Sequence, residues 1–186
     1  MKSFVAIFVV LALLVLAAPA MSQGFKGIGG GLEIAMPMGD FGDAANMGFG
    51  FTAAAQYGWK PNIDLIGQIG YLSWGAKDLP AGFDGSWSAI PIQVGAKYYF
   101  GQTANRFYAG GLAGFHMFKV KATVDLPYLG KVSSSASETK FGFAPMVGYE
   151  MKLGQKMMLD LSGRYQFVSD NLSYIGIRAG IIYLLK

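Results

Sequence analysis

His116 is the only histidine in the chain, so any histidine-based acid–base or acyl-transfer chemistry has to run through it. Such chemistry also needs a hydroxyl nucleophile and an acid within reach of the ring. Met117, Phe118 and Lys119 follow His116, and nothing in the spacing ties Ser162 or Ser169 to it. It reads as a strand residue, and the chain does not read as an enzyme. One histidine and no cysteine leave only carboxylates as further metal ligands, so neither a metal site nor another cofactor is expected. The lack of cysteine also removes disulfides and thiol nucleophiles. Gly27-Ile28-Gly29-Gly30-Gly31 has the glycine density of a phosphate loop, but no helix pattern or Lys-Ser/Thr ending follows it. Close-packed strand explains it better.

The remaining chemistry lies in charges set singly into apolar surroundings. These are Glu33, Asp64, Lys97, Glu150, Asp160, Arg164 and Arg178. A charge taken out of water must be paired and hydrogen-bonded. The elements carrying these residues therefore have to face them toward one another.

Those elements have a period of two. Eight segments alternate apolar with small or polar residues, the strand signal. They run roughly over Phe25–Met36, Met47–Trp59, Ile63–Trp74, Trp87–Phe100, Arg106–Val120, Lys140–Leu153, Met157–Val168 and Tyr174–Leu185. Each exceeds the about 9–11 residues that a tilted strand needs to cross a bilayer. In the second segment Phe49, Phe51, Ala53, Ala55, Tyr57 and Trp59 alternate with Gly50, Thr52, Ala54, Gln56 and Gly58. The fourth, seventh and eighth alternate in the same way. The fifth is ambiguous, because Tyr108, Leu112, Phe118 and Val120 share a parity with Arg106 and His116. Large apolar residues on one face and small or polar ones on the other suit a barrel that faces lipid outside and packs polar groups inside.

Composition agrees. Charged residues make up 14% of the chain, against about 25% in ordinary soluble domains. Glycine accounts for 27 of 186 residues and aromatics for 15%. The net charge is +4 with no basic run, so nucleic acid is not an expected partner. At the N-terminus, Lys2 precedes an apolar run from Phe4 to Ala18, and Ala18-Pro19-Ala20 offers a small-x-small cleavage site. This predicts a signal peptide over residues 1–20, with cleavage as late as 22, and a barrel domain over 21–186.

Connections alternate in length. Lys60-Pro61-Asn62, Gly101–Asn105 and Gly154-Gln155-Lys156 are tight, whereas Pro37–Asn46, Gly75–Ser86 and Lys121–Thr139 read as long polar loops. Ser169–Ser173 is short for its place, and Ser133–Ser137 reads as a solvated loop tip. The alternation predicts an up-and-down transmembrane barrel with tight turns on the periplasmic side and long loops outside.

Parity then predicts the lumen. Glu33 is expected to meet Arg178 where the first and eighth strands close the barrel. Lys97 is expected to serve Asp64, and Arg164 to separate Glu150 from Asp160. Eight strands enclose a space just wide enough to be filled by side chains. The aromatic residues near strand ends predict two interfacial girdles. Tyr57, Trp59, Tyr98, Phe100, Tyr149 and Tyr183 would mark one, and Tyr71, Trp74, Trp87, Phe141, Phe167 and Tyr174 the other.

The ordered set of Gly27–Ile34 running into Pro37-Met38-Gly39-Asp40-Phe41-Gly42-Asp43, Ile90-Pro91-Ile92 leading to Lys97-Tyr98-Tyr99-Phe100-Gly101, and Phe141–Tyr149 resembles the small OmpX/OmpA-type outer membrane protein beta-barrel (porin-family) proteins of Gram-negative bacteria. The resemblance covers the whole chain after the leader. It implies an integral, all-β, eight-stranded antiparallel barrel, inserted among outer-membrane lipids by the barrel-assembly machinery. Such barrels usually close on an aromatic residue, and this chain ends Tyr183-Leu184-Leu185-Lys186. The expected role is structural or surface-interacting, adhesion-like, through the long loops of a monomer. A narrow ion channel and a membrane-embedded lipid-modifying enzyme are the alternatives.

Overall fold

In the computed structural model the described residues are 24–185, apart from 81–82, 102, 104 and 127–129. The expected signal peptide lies outside them. Eight strands follow in order: β1 (Phe25–Pro37), β2 (Gly48–Lys60), β3 (Ile63–Gly75), β4 (Phe83–Phe100), β5 (Arg106–Leu126), β6 (Gly130–Lys152), β7 (Met157–Val168) and β8 (Tyr174–Leu184). Each pairs antiparallel with the next, and β1 pairs with β8 to close the barrel. Closure leaves the wall without an edge, the condition for a sheet in lipid. Among the described residues no helix is long and apolar enough to cross a membrane.

The outer surface is what water would disfavour. Leu32, Phe51, Phe107 and Val147 are each at least 60% exposed on it. Such a continuous apolar surface belongs in hydrocarbon. One end of the barrel, the turn end, carries the tight β2–β3, β4–β5 and β6–β7 turns and both ends of the strand series. The other is the loop end. There the β7–β8 connection reverses through Asp170 and Asn171, both left-handed (φ 60° and 58°). Those residue types tolerate that region, so few residues suffice.

Two expected loops are different in the structure. Lys121–Leu126 and Gly130–Thr139 are strand, not loop. β5 and β6 continue as a paired hairpin, with Lys121 opposite Ser135 and Thr123 opposite Ser133. The Ser133–Ser137 stretch is therefore strand, its backbone satisfied by β5 although serine favours strands little. The Gly75–Ser86 loop is shortened from both ends, because β3 runs to Gly75 and β4 begins at Phe83. In the β1–β2 connection, Gly39 turns in the left-handed region (φ 57°) and starts a single helical turn, α1 (Asp40–Ala44). This turn buries Phe41 in the mouth of the barrel.

Candidate functional site

The interior divides into two chemically distinct regions. The loop end is closed by rings. Phe41 from α1 stands edge-on to Trp74 (5.3 Å), Trp87 (5.5 Å) and Phe118 (6.2 Å), and Tyr174 stands edge-on to Trp74 at 5.6 Å. Ala35, Ala45, Leu72, Ala89 and Val168 complete the cluster. Trp74 Nε1 donates to the Ala35 carbonyl at 3.1 Å, so the indole is buried without an orphaned donor. The plug fits within eight strands because the indole lies against Gly48 at the start of β2. A β-carbon at Gly48 would fall on the indole ring. The loop over the plug is fastened: Met38 N–H donates to Ser173 O (2.9 Å), Asn46 N–H to Gly75 O (2.8 Å), and Asn171 Nδ2 to Asp40 (2.8 Å).

The turn end is a lattice of charges. Lys97 Nζ pairs with Glu150 at 3.1 Å and with Asp160. Glu150 Oε1 also accepts from Gln56 (3.1 Å) and Tyr99 (2.9 Å), and Asp160 Oδ1 accepts from Tyr108 at 2.9 Å. Arg178 lies 3.4 Å from Asp160 and donates through Nε to Thr52 at 2.6 Å. Asp64 pairs with Lys26 at 2.6 Å, and Arg106 stands between Asp64 (4.0 Å) and Glu150 (3.6 Å) with its guanidinium over the Tyr99 ring. Between the two regions, Gln68 donates to Gln93 (3.0 Å), and Gln93 to Gln166 (2.9 Å). Arg164 Nη2 donates to both oxygens of Glu33 at 2.6 Å. Gly176, opposite Arg164, leaves the room for that pair.

All seven charges singled out from the sequence lie inside the barrel, but their partners differ from the expected ones. Glu33 faces Arg178 in backbone register yet pairs with Arg164, one strand further round. Asp64 faces Lys97 in register yet pairs with Lys26, while Lys97 reaches across the lumen to Glu150 and Asp160. Long cationic side chains in a narrow tube reach several walls, so cross-strand register does not fix their partners. Lys97 and Arg178, not Arg164, hold Glu150 and Asp160.

Lys26 and Arg106 join the lattice from outside those seven. Lys26 is out of parity with Glu33, and a register shift between Phe25 and Gly27 turns it inward. Arg106 shares its parity with Tyr108, Leu112, His116 and Phe118, all but Arg106 fully buried, which settles the ambiguous fifth strand.

The girdles also change. Trp59, Tyr71, Tyr98, Phe100, Phe167 and Tyr183 are exposed on the outer face, and Tyr57 and Tyr149 are half-buried at outward positions. Trp74 and Tyr174 are buried inside, and Trp87 has their inward parity and packs on the same cluster. These three rings form the plug and do not face lipid. His116 is buried beneath it, its Nε2 3.4 Å from the Tyr174 hydroxyl. Ser169 Oγ turns away and donates to Phe141 O.

A family model described as outer membrane protein beta-barrel domain matches residues 8–183. Among solved structures, the barrel is similar to Ail, the attachment invasion locus protein of Yersinia pestis (17% identity, TM-score 0.61, 87% of this chain and 99% of that one). It is similar to Neisserial surface protein A (20%, TM-score 0.58, 89% and 99%). It is also similar to a major outer membrane protein of Thermus thermophilus (13%, TM-score 0.57, 85% and 99%). At these identities the likeness is one of fold. No curated protein matches the chain.

Proposed function

We propose that this chain, which belongs to the outer membrane protein beta-barrel domain family and is an integral protein of the outer membrane, is a sealed structural barrel that makes surface contacts through its loop end. The observation that carries the reading is the β5–β6 hairpin. It continues past the last β6–β7 pair, Gly142 with Val168, for a further dozen residues. Among the described residues no strand pairs with the β7-facing edge of β6 between Gly130 and Lys140. An unpaired strand edge offers a row of backbone donors and acceptors to a partner. The plug and the charge lattice fill the lumen and argue against transport. The name of Ail, attachment invasion locus protein, is consistent with a contact role. In this reading the loop end faces outward, residues 1–20 direct export, the barrel-assembly machinery inserts the chain, and the barrel works as a monomer.

The test is a shortened hairpin, with Lys121 joined to Ser135 by an Asn-Gly turn. Cells producing it are expected to adhere several-fold less to cultured-cell monolayers than cells producing the full chain, at equal levels of heat-modifiable barrel. Equal adherence would remove the contact role.

A further inference from the structure

The outer face of the β4–β5–β6 sheet changes chemistry abruptly along its length. Ile92, Phe115 and Phe141 stand side by side in one row across the three strands. All three are exposed, and the Phe115 and Phe141 rings lie 5.7 Å apart. Two rows nearer the loop end, the same columns carry Ser88, Lys119 and Ser137, and the next row carries Ser86, Lys121 and Ser135. Both lysines are exposed, and neither makes an ion pair among the described residues. One row further out a shallow depression of about 200 Å³ is lined by Asp84, Gly85, Ser86, Lys121 and Thr123. The acids at outward positions here, Asp84 opposite Thr123 and Asp125 opposite Lys131, lie beyond both lysine rows.

The spacing matches the profile of a lipid leaflet. Outer-facing residues advance about 6.7 Å per pair along a strand, which puts Lys119 about 13 Å beyond Phe115. A lipid whose chains lie on the ring row therefore presents its headgroup at the lysine rows. Two exposed ammonium groups flanked by hydroxyl donors are complementary to a phosphate.

We infer that this face binds phosphate-bearing lipid headgroups of the leaflet at the loop end, with Lys119 and Lys121 as anion ligands and Ser86, Ser135 and Ser137 as hydroxyl donors, the Ser88 hydroxyl being turned to the Lys119 carbonyl. The face is continuous with the lipid-facing band, so headgroup and chains are held by one surface. The inference rests on the barrel being embedded in lipid. It does not depend on which end faces outward or on the contact role of the hairpin.

The test reconstitutes the whole barrel in nanodiscs of phosphatidylcholine containing a minority of phosphatidylglycerol in both leaflets. Lipids retained by the protein are counted by native mass spectrometry. The native barrel is expected to enrich phosphatidylglycerol. K119Q/K121Q is expected to weaken that binding by roughly 30-fold, since each lysine near a membrane surface contributes about tenfold or less. K119R/K121R, which keeps the charge, and K152Q/K156Q, at the turn end, are expected to enrich like the native barrel. Unchanged enrichment in K119Q/K121Q overturns the inference. Loss of enrichment in K152Q/K156Q alone overturns it too, as does displacement of the lipid by millimolar inorganic phosphate, which would make the face a site for the free anion.

Discussion

The two ends of the lumen are filled by opposite means. At the loop end, Phe41, Trp74, Trp87, Phe118 and Tyr174 close the barrel by ring packing, with a polar tie from the indole to Ala35. At the turn end, Lys97, Asp160, Glu150, Arg106, Asp64 and Arg178 close it by ion pairs and hydrogen bonds, with Tyr99 and Tyr108 contributing hydroxyls as well as area. Apolar packing is non-directional and adapts when one member is trimmed. A charge lattice does not adapt, because each group removed strands its partner in a low-dielectric space. The plug can therefore be loosened without unfolding the wall, whereas the lattice holds only as a whole. Glycine serves both ends in the same way: Gly48 makes room for the Trp74 ring, and Gly148, opposite Tyr108, makes room for the phenol.

This contrast can be broken at four places, in descending order of expected effect. Lys97→Met leaves Glu150 and Asp160 facing each other without their shared ammonium group. Urea unfolding in vesicles should give a loss of about 3–5 kcal/mol, the cost of breaking a buried pair from one side. A loss under about 1 kcal/mol would mean that Arg106 and Arg178 already neutralise both acids. Phe41→Ala removes the ring that α1 inserts and should cost about 3 kcal/mol, toward the low end for a buried phenylalanine because the mouth can relax. The same variant should raise single-barrel conductance in planar bilayers above the native background. Silence in both barrels would show that the charge lattice alone seals the tube.

Gln93→Leu removes the centre of the glutamine chain and leaves Gln68 and Gln166 each short of one partner. The expected loss is about 1–3 kcal/mol, read as a lower urea midpoint at unchanged slope. Asn171→Ala cuts the exposed tie to Asp40 over the plug. It should shift stability by no more than about 0.5 kcal/mol, so a large effect would make that loop contact the plug's main anchor.

Much of the architecture could be read along the chain, because period-two alternation survives in strands that face lipid on one side. The β7 limits, Met157–Val168, coincide with the alternating run, and most other strand limits lie within one residue of theirs. The exceptions lie at the loop end. Serine-rich residues 133–137 and Lys121 lack the apolar alternation by which strands are recognised, yet β5 and β6 continue through them on backbone pairing. Residue type and position near strand ends point Trp74, Trp87 and Tyr174 to a girdle. Type cannot distinguish a ring at the interface from a ring plugging the mouth, and only the direction of the side chain does.

The sequence by itself determined the number of strands, the tight turns at one end, the lipid-facing parity and the inward placement of Glu33, Asp64, Lys97, Glu150, Asp160, Arg164 and Arg178, because each is a local consequence of residue order. Tertiary structure alone decided which charge meets which, that Phe41 enters the barrel, and that two lysines stand above a phenylalanine row. Those relations join residues from non-adjacent strands and loops, and they come into being only when the sheet closes on itself.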